Sequence, residues 1–155
     1  MLKWVLLSAI LDRATKEIVS LALVPGESIS LVGGLLRLTY ITNTGAAFGL
    51  LSDHTWMLAA VSLLLVGFVT WWYRSLGGSG RYPIAGPAAG LLVGGALGNL
   101  VDRVFRGYVV DFIDLGFWPV FNVADIAVVA GCALAFLMIL KNPEIAGGGA
   151  PGEAN

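Results

Sequence analysis

The chain has 155 residues, of which 57% are hydrophobic and only 12% are charged, and its mean hydropathy is +0.85. Soluble domains carry about a quarter charged residues, so this composition excludes an ordinary soluble domain and indicates an integral membrane protein. The net charge of −1 excludes a nucleic-acid partner, because there is no basic surface to hold phosphates.

The chain is also poor in residues that bind metals or act as nucleophiles. Cys132 is its one cysteine, which excludes an intramolecular disulfide, and the apolar neighbours of Cys132 favour a simple packing role. His54 is the one histidine, which disfavours a zinc site and a Ser-His or Cys-His apparatus. We therefore expect neither a metal nor a cofactor.

Four apolar stretches are each long enough to cross about 30 Å of hydrocarbon as a helix that rises about 1.5 Å per residue. They are residues 2–24, 56–73, 82–101 and 117–140. Charged residues interrupt the first stretch between Asp12 and Glu17, and Asp125 alone interrupts the fourth. We predict an all-α membrane protein with four transmembrane helices in a single domain, residues 1–141. The Gly-, Ala- and Pro-rich tail, 142–155, is predicted to be disordered.

The pattern changes between the first two apolar stretches. Two β-branched, partly alternating runs, 29–32 and 35–42, flank Gly33 and Gly34. This arrangement predicts a β-hairpin with a two-residue primed turn. We expect it to form a small extracytoplasmic sheet on the outer membrane surface.

The basic residues predict the orientation of the four helices. In a four-span layout one side of the membrane holds Lys3, Arg74, Arg81 and Lys141, and the other holds Arg37, Arg103 and Arg106 together with several acids. By the positive-inside rule, both termini are predicted to be cytoplasmic.

Glycine recurs at every fourth position of the third apolar stretch, at residues 86, 90, 94 and 98. This spacing gives one smooth helix face that allows a neighbouring helix to approach closely. We predict a packing surface there.

Polar residues are concentrated directly after the glycine face. Asn99, Asp102, Arg103 and Arg106 recur at three- and four-residue steps, so they share one side of a helix end. Asp111 and Asp114 are expected in a short connection, and Asn122 and Asp125 lie one turn apart where the fourth helix is expected to start.

One interpretation of these residues is an ion-pair network that ties the third helix to the fourth, with Arg103 or Arg106 neutralising Asp102. Asp111 and Asp125 fit this interpretation less well, because acids outnumber bases here. Two carboxylates about 3 Å apart resist ionising together and share a proton. One can then activate a water while the other polarises a carbonyl and later protonates the leaving amine.

Paired carboxylates alone also fit other functions. A proton-coupled transporter would use Asp111 and Asp125 as relay groups, although the spans show no internal repeat of the transporter kind. A non-catalytic membrane scaffold would use the polar cluster only to fix helix pairing.

Five short motifs occur in order along the chain: DRATK (12–16), NTGAAF (43–48), GGALGNLVDR (94–103), GYVVDFID (107–114) and FNVAD (121–125). Together, over about residues 4–140, they resemble the bacterial lipoprotein signal peptidases (signal peptidase II). The resemblance implies an aspartic protease of the cytoplasmic (inner) membrane with four transmembrane helices. Its substrates would be prolipoproteins, cut just before a cysteine that carries a diacylglyceryl group.

The resemblance also implies residue roles. Asp111 and Asp125 would be the catalytic pair, near the extracytoplasmic membrane surface, with Asp114 a solvated loop acid outside it. The substrate would be held, or the site shaped, by Asn43, Gly45, Asn99, Arg103 and Asn122. Structural support would come from Asp12, Lys16, Asp102 and Ala124.

The resemblance further implies a substrate cradle over about residues 25–53, made of the hairpin and a short periplasmic helix in GAAFGLL (45–51). Besides the substrates, membrane lipids and globomycin-type peptide inhibitors would bind the protein.

Overall fold

The computed structural model describes residues 1–45, 51, 54–78 and 81–145. Within these ranges the chain forms four long helices, three strands and a short 3-10 turn. The helices are α1 Leu2–Ala22, α2 Thr55–Ser75, α3 Ala85–Arg106 and α4 Val123–Lys141. The strands are β1 Ser28–Val32, β2 Leu36–Asn43 and β3 Val109–Asp114.

Three of the helices in the described ranges, α2, α3 and α4, are long and apolar enough to cross a membrane. Their outward faces are apolar, as at Leu64 and Trp71 of α2, which are 72% and 63% exposed. α1 is as long as α2, but four charged residues between Asp12 and Glu17 lower its apolar character.

The central helix is α3, which contacts α1, α2 and α4. Its glycines allow this closeness. A Cβ atom added at Gly90 would lie 2.5 Å from Trp4 Cβ, and one at Gly94 would lie 2.7 Å from the carbonyl oxygen of Val5. A Cβ at Gly95 would overlap the carbonyl oxygen of Ala124 in α4. The glycine face is therefore confirmed as a packing surface between α3 and α1.

The predicted hairpin is present as β1 and β2. Gly33 and Gly34 both have positive φ angles, 50° and 81°, and the Leu35 N–H donates to the Val32 carbonyl over 2.8 Å. Positive φ at both central residues defines the primed turn that matches the twist of a hairpin.

A third strand, β3, completes an antiparallel sheet of order β1-β2-β3. The prediction of a short connection at Asp111 and Asp114 was therefore wrong. A half-buried strand alternates apolar and polar residues. β3 lacks this alternation because it is buried on both faces, and its buried residues include Asp111 and Asp114. Val110 and Phe112 of β3 pack with Tyr40 and with Val19 at the end of α1, which fixes the sheet on that end of the bundle.

The last helix begins at Val123, where Asn122 and Asp125 were expected to mark its start, and not at 117, where the fourth apolar stretch begins. Asn122 is its N-cap, and Asn122 and Asp125 form a reciprocal capping box. Residues 117–121 are apolar but precede this cap, so hydropathy alone placed the boundary too early.

Two other predictions concern residues that lie mostly outside the described ranges. The short helix predicted over 45–51 falls mostly outside them, as does the tail from residue 146 onward. The first residues of the predicted disordered tail form the 3-10 turn Pro143–Ile145, and Ile145 packs beside Tyr82 and Met138.

Candidate active site

Asp111 is buried near the middle of β3, opposite Ile41 of β2, with its side chain only 3% exposed. Asn43 Nδ2, at the end of β2, donates to Asp111 Oδ2 over 2.8 Å. Asn122 Nδ2 donates to Asp111 Oδ1 over 2.6 Å. Both carboxylate oxygens of Asp111 are therefore held by neutral amide donors.

Asp125 is half-buried in the first turn of α4. Its Oδ2 accepts the backbone N–H of Asn122 over 3.0 Å, which is one half of the capping box. Its Oδ1 accepts a hydrogen bond from Asn99 Nδ2 over 2.9 Å. The cap thus fixes the Asp125 carboxylate against the end of α4, and Asn99 fixes it against α3.

Asn122 joins the two carboxylates. Its side chain is fully buried; Oδ1 accepts the backbone N–H of Asp125 over 3.0 Å, while Nδ2 donates to Asp111. Asn122 Nδ2 also lies 3.1 Å from Asn99 Oδ1. One asparagine therefore sets the relative position of both aspartates.

Both aspartates face one open cavity of about 350 Å³. Six of the residues expected at the site line it: Asn43, Gly45, Asn99, Arg103, Asp111 and Asp125. Asn122 lies behind the cavity wall. The structure thus brings together every residue that the sequence predicted for catalysis and substrate binding.

Arg103 is the cationic residue of the cavity wall. Its Nη2 donates to the carbonyl oxygen of Gly45 over 3.3 Å, and the Gly45 N–H donates to Asn43 Oδ1 over 2.9 Å. Arg103 was expected as one possible partner of Asp102, but among the described residues it forms no ion pair within 4.0 Å. Its charge instead faces the cavity.

A second carboxylate cluster lies beside this site, between α1 and α3. The fully buried Lys16 Nζ lies 2.8 Å from Asp12 Oδ2 and 2.9 Å from Asp102 Oδ2. Arg13 and Arg106 also contact Asp102, over 3.3 Å and 3.7 Å. The expected ion-pair network therefore exists, but it ties α3 to α1 rather than to α4, because α1 supplies the buried cation.

The residues expected to give structural support contact the surroundings of Asp125 directly. The Ala124 N–H, in the first turn of α4, donates to Asp12 Oδ1 over 2.9 Å. Lys16 Nζ donates to Asn99 Oδ1 over 2.9 Å. The network of α1 thus reaches both the start of α4 and the asparagine that binds Asp125.

Burial raises the pKa of Asp111 from 3.8 to about 6, and the nearby negative charge of Asp125 adds to the rise. Hydrogen bonds from Asn43 and Asn122 act in the opposite direction, since they favour the ionised form. A carboxyl group poised near neutral pH can both accept and donate a proton.

The sequence profile described as "Signal peptidase (SPase) II" matches residues 4–141. The chain belongs to the signal peptidase II family.

Relatives in this family match nearly the whole chain. A "Lipoprotein signal peptidase" of Syntrophomonas wolfei is 47% identical over 136 residues, which cover 87% of this chain and 89% of the relative. One from Halothermothrix orenii is 38% identical over 141 residues, 91% of this chain and 95% of the relative. A solved structure titled as a bacterial membrane enzyme superposes with a TM-score of 0.82 at 28% identity and covers 98% of this chain and 92% of its own.

Asp114 departs from its predicted role in this signal peptidase II chain. It was expected as a solvated loop acid, but it ends β3 and is only 6% exposed. Thr39 Oγ1 donates to its Oδ2 over 2.8 Å, and Arg37 Nε lies 3.0 Å from the same oxygen. The hydrogen bond from Thr39, followed by that from the Gly116 N–H and the contacts with Arg37, lowers the pKa of Asp114. Pairing across the sheet therefore buries Asp114 as an ion.

Two features of the site were missed from the sequence. Arg13 was given no role, yet it contacts Asp102 in the buried cluster. The bond from Lys16 to Asn99 spans 83 positions, and no local pattern in the sequence indicates it. Among the described residues no cluster of three or more His, Cys, Asp or Glu side chains could hold a metal ion.

Proposed function

We propose that the chain is an aspartic endopeptidase of the membrane that removes the signal peptide from diacylglyceryl-modified prolipoproteins, cleaving just before the lipidated cysteine. One observation carries the proposal. Asp111 and Asp125 face a single cavity, are joined by Asn122, and have no Lys or Arg nitrogen within 4.0 Å in the described part of the chain. A carboxylate pair that is not neutralised remains available for proton transfer.

In the proposed reaction, one carboxylate of the pair takes a proton from water, and the hydroxide attacks the carbonyl carbon before the cysteine. The other carboxyl group, protonated at the start, donates its proton to the carbonyl oxygen. The proton taken from water then passes to the leaving amine and the C–N bond breaks, while one hydroxyl of the tetrahedral intermediate returns a proton to the other carboxylate as the new carboxyl group forms. The raised pKa of Asp111 suits it to hold the initial proton.

The cavity wall supplies groups for the substrate backbone. Arg103 Nε is buried and makes no hydrogen bond within the described residues, so a substrate carbonyl would give it a partner. Asn43, Gly45 and Asn99 line the same wall, while Asn122 would act from behind it by fixing both carboxylates.

An apolar groove of about 480 Å³ begins at Asp125 and runs along α4. Phe117, Trp118, Ile126 and Val129 line it, and they are between 48% and 83% exposed. This groove would receive the lipid chains of the substrate, or membrane lipids between turnovers. Globomycin-type peptide inhibitors would occupy the cavity and the groove together.

We further propose that α1 is a fourth transmembrane helix and that both termini are cytoplasmic. α1 has 21 residues, which is about 31 Å at ~1.5 Å per residue. Its charged Asp12 and Lys16 are buried against α3, whereas Leu2, Ile10 and Leu21 are at least 63% exposed. With four spans, the cavity beside the sheet lies at the extracytoplasmic end, opposite the termini, in the inner membrane of a bacterium.

The test is to incubate the purified chain with a diacylglyceryl-modified prolipoprotein and to measure product masses. The expected result is a mass loss equal to the signal peptide, and no loss with the same precursor lacking the lipid. A chain that moves protons in proteoliposomes without cutting the precursor would instead be a transporter. If Asp125→Asn keeps the biological function, the scaffold interpretation holds.

A further inference from the structure

We infer that Lys16 is a positioning residue for peptide hydrolysis, which acts on Asp125 through Asn99. The inference rests on the proposed function and adds to it a residue that lies outside the cavity. It goes beyond structural support, because it assigns Lys16 an effect on the chemical step.

The Lys16 ammonium group has three N–H donors and three partners. They are Asp12 Oδ2 at 2.8 Å, Asp102 Oδ2 at 2.9 Å and Asn99 Oδ1 at 2.9 Å. The side chain is fully buried, so no water competes for these donors. All three directions of the ammonium are thereby fixed.

The bond from Lys16 helps to fix which way the Asn99 carboxamide points. The Asn99 oxygen faces the ammonium of Lys16 and also accepts from Asn122 Nδ2 over 3.1 Å, so Asn99 Nδ2 faces Asp125 Oδ1 at 2.9 Å. Rotating the carboxamide by half a turn would place N–H groups against an ammonium and an oxygen against a carboxylate. Both contacts would be repulsive, so Lys16 locks Asn99 as a donor to Asp125.

This lock holds Asp125 Oδ1 through Asn99, while the capping box holds Asp125 Oδ2. The negative charges of Asp12 and Asp102 have cationic partners without the bond from Lys16 to Asn99. Asp102 already has Arg13 and Arg106 within 3.7 Å, and Asp12 lies within 2.8 Å of the ammonium. The third donor of Lys16 therefore serves the active site.

The test compares two charge-neutral double variants of the same cluster. Asp12→Asn with Lys16→Met removes one charge of each sign and the donor to Asn99, while the amide oxygen introduced at position 12 can still accept from the Ala124 N–H. Glu17→Gln with Arg106→Met also removes one charge of each sign, but it leaves Lys16 and Asn99 intact. Glu17 and Arg106 contact each other at the exposed edge of the cluster.

We expect the Lys16 double variant to lower kcat by at least ~10-fold with KM changed less than about three-fold, because the Asp125 carboxylate loses its alignment. The Glu17 and Arg106 pair should leave both kcat and KM close to the values of the parent, because it leaves the bond from Lys16 to Asn99 in place. Asp102→Asn with Lys16→Met is a second neutral pair, with the same expectation, should the first fail to fold.

A double-mutant cycle tests the route through Asn99. Lys16→Met should add little to Asn99→Ala, because the group through which Lys16 acts is already gone. Asn43→Ala removes a donor to Asp111 instead. In that background Lys16→Met should lower kcat by the same factor as it does in the parent. If both cycles are additive and the Lys16 variants lower kcat no more than the control pair does, Lys16 only supports the fold. If the parent chain cleaves no lipidated precursor, the proposed function itself is wrong.

Discussion

Two carboxylate pairs lie side by side in this bundle, and they have opposite kinds of partner: one pair contacts cations, and the other accepts from neutral N–H groups. Asp12 and Asp102 are fully buried beside Lys16, and with Glu17, Arg13 and Arg106 they form a cluster of three acids and three bases. Asp111 and Asp125 lie at the cavity and accept only neutral N–H donors from asparagines and backbone within the described residues.

Under the proposed function, the difference distinguishes structural acids from chemical ones. A carboxylate paired with a buried cation ties helices together through that ion pair. A carboxylate held by amides keeps its position while its charge remains free to change. In a membrane protein with few charged residues, the kind of group that contacts an acid is thus a better guide to the role of that acid than the extent of its burial.

The largest expected effect is on stability, from Asp102→Ala. This change leaves Lys16 with one carboxylate and deprives Arg13 and Arg106 of a shared partner, and breaking a buried ion pair costs about 3–5 kcal/mol. Thermal unfolding in detergent should show a strongly lowered midpoint. Glu17→Ala, at the 40%-exposed edge of the same cluster, is the control and should cost less than about 1 kcal/mol. Equal losses from both would mean that burial does not distinguish these acids.

The next effect is on activity, from Asp111→Asn and Asp125→Asn. Each should lower turnover by at least ~10²-fold, because each removes a proton-transfer group while keeping its size. The double variant should be little worse than either single one, since the pair acts as a unit. Both should fold, and cleavage of a lipidated precursor provides the measurement. Asp114→Asn should remain active; an inactive Asp114→Asn beside an active Asp125→Asn would mean that the wrong pair was chosen.

A third effect is the pH dependence of stability. Folded Asp111 has a pKa of about 6, above the ordinary value of 3.8, so the folded state binds the proton more tightly. The associated stability is fully present below about pH 4 and is lost as pH rises through 6, up to about 3 kcal/mol for a difference of about 2 pH units. Denaturation between about pH 4 and about pH 7.5 should show this slope, and Asp111→Asn should flatten it. An unchanged slope in the variant would rule out Asp111 as its source.

The smallest effect is expected from Asp114→Asn, with the opposite pH dependence. The pKa of Asp114 is lowered, so its contribution to stability is present above the ordinary pKa of an aspartate and is lost as pH falls through the lowered value. Replacing the ion should cost about 1 kcal/mol near neutral pH through its bonds to Thr39 and Arg37. The same denaturation series measures it. A loss as large as that of Asp102→Ala would place Asp114 with the structural acids of the bundle.

Much of the fold could be predicted because it depends on local patterns. Apolar runs of about 20 residues indicated the positions of the helices. Paired glycines indicated the hairpin turn, and the four-residue glycine spacing indicated the face of α3. The residues of the site could be named because short motifs in a fixed order resemble one family. These signals depend on neighbours in sequence.

The remainder depends on contacts between distant residues. β3 was missed because its aspartates make it look like a loop, and only pairing with Arg37, Thr39 and Asn43 of β2 shows why they are buried. The ion-pair network was assigned to the wrong helix because nothing local to Lys16 indicates Asp102. The fourth apolar stretch begins at 117, before the start of α4, because hydropathy does not register a capping box.

The ion pair within α1 has a consequence for biosynthesis. Asp12 and Lys16 lie one turn apart and contact each other over 2.8 Å, so α1 contains a counterion for its own buried charge. With α1 spanning the membrane as proposed, this pairing lowers the cost of moving its charged groups into lipid before α3 has been made. Asp125, in contrast, lies in α4, and its partner Asn99 lies in α3. The buried charges of α1 are therefore balanced within one helix, whereas the position of Asp125 depends on two helices that follow α1 in the chain.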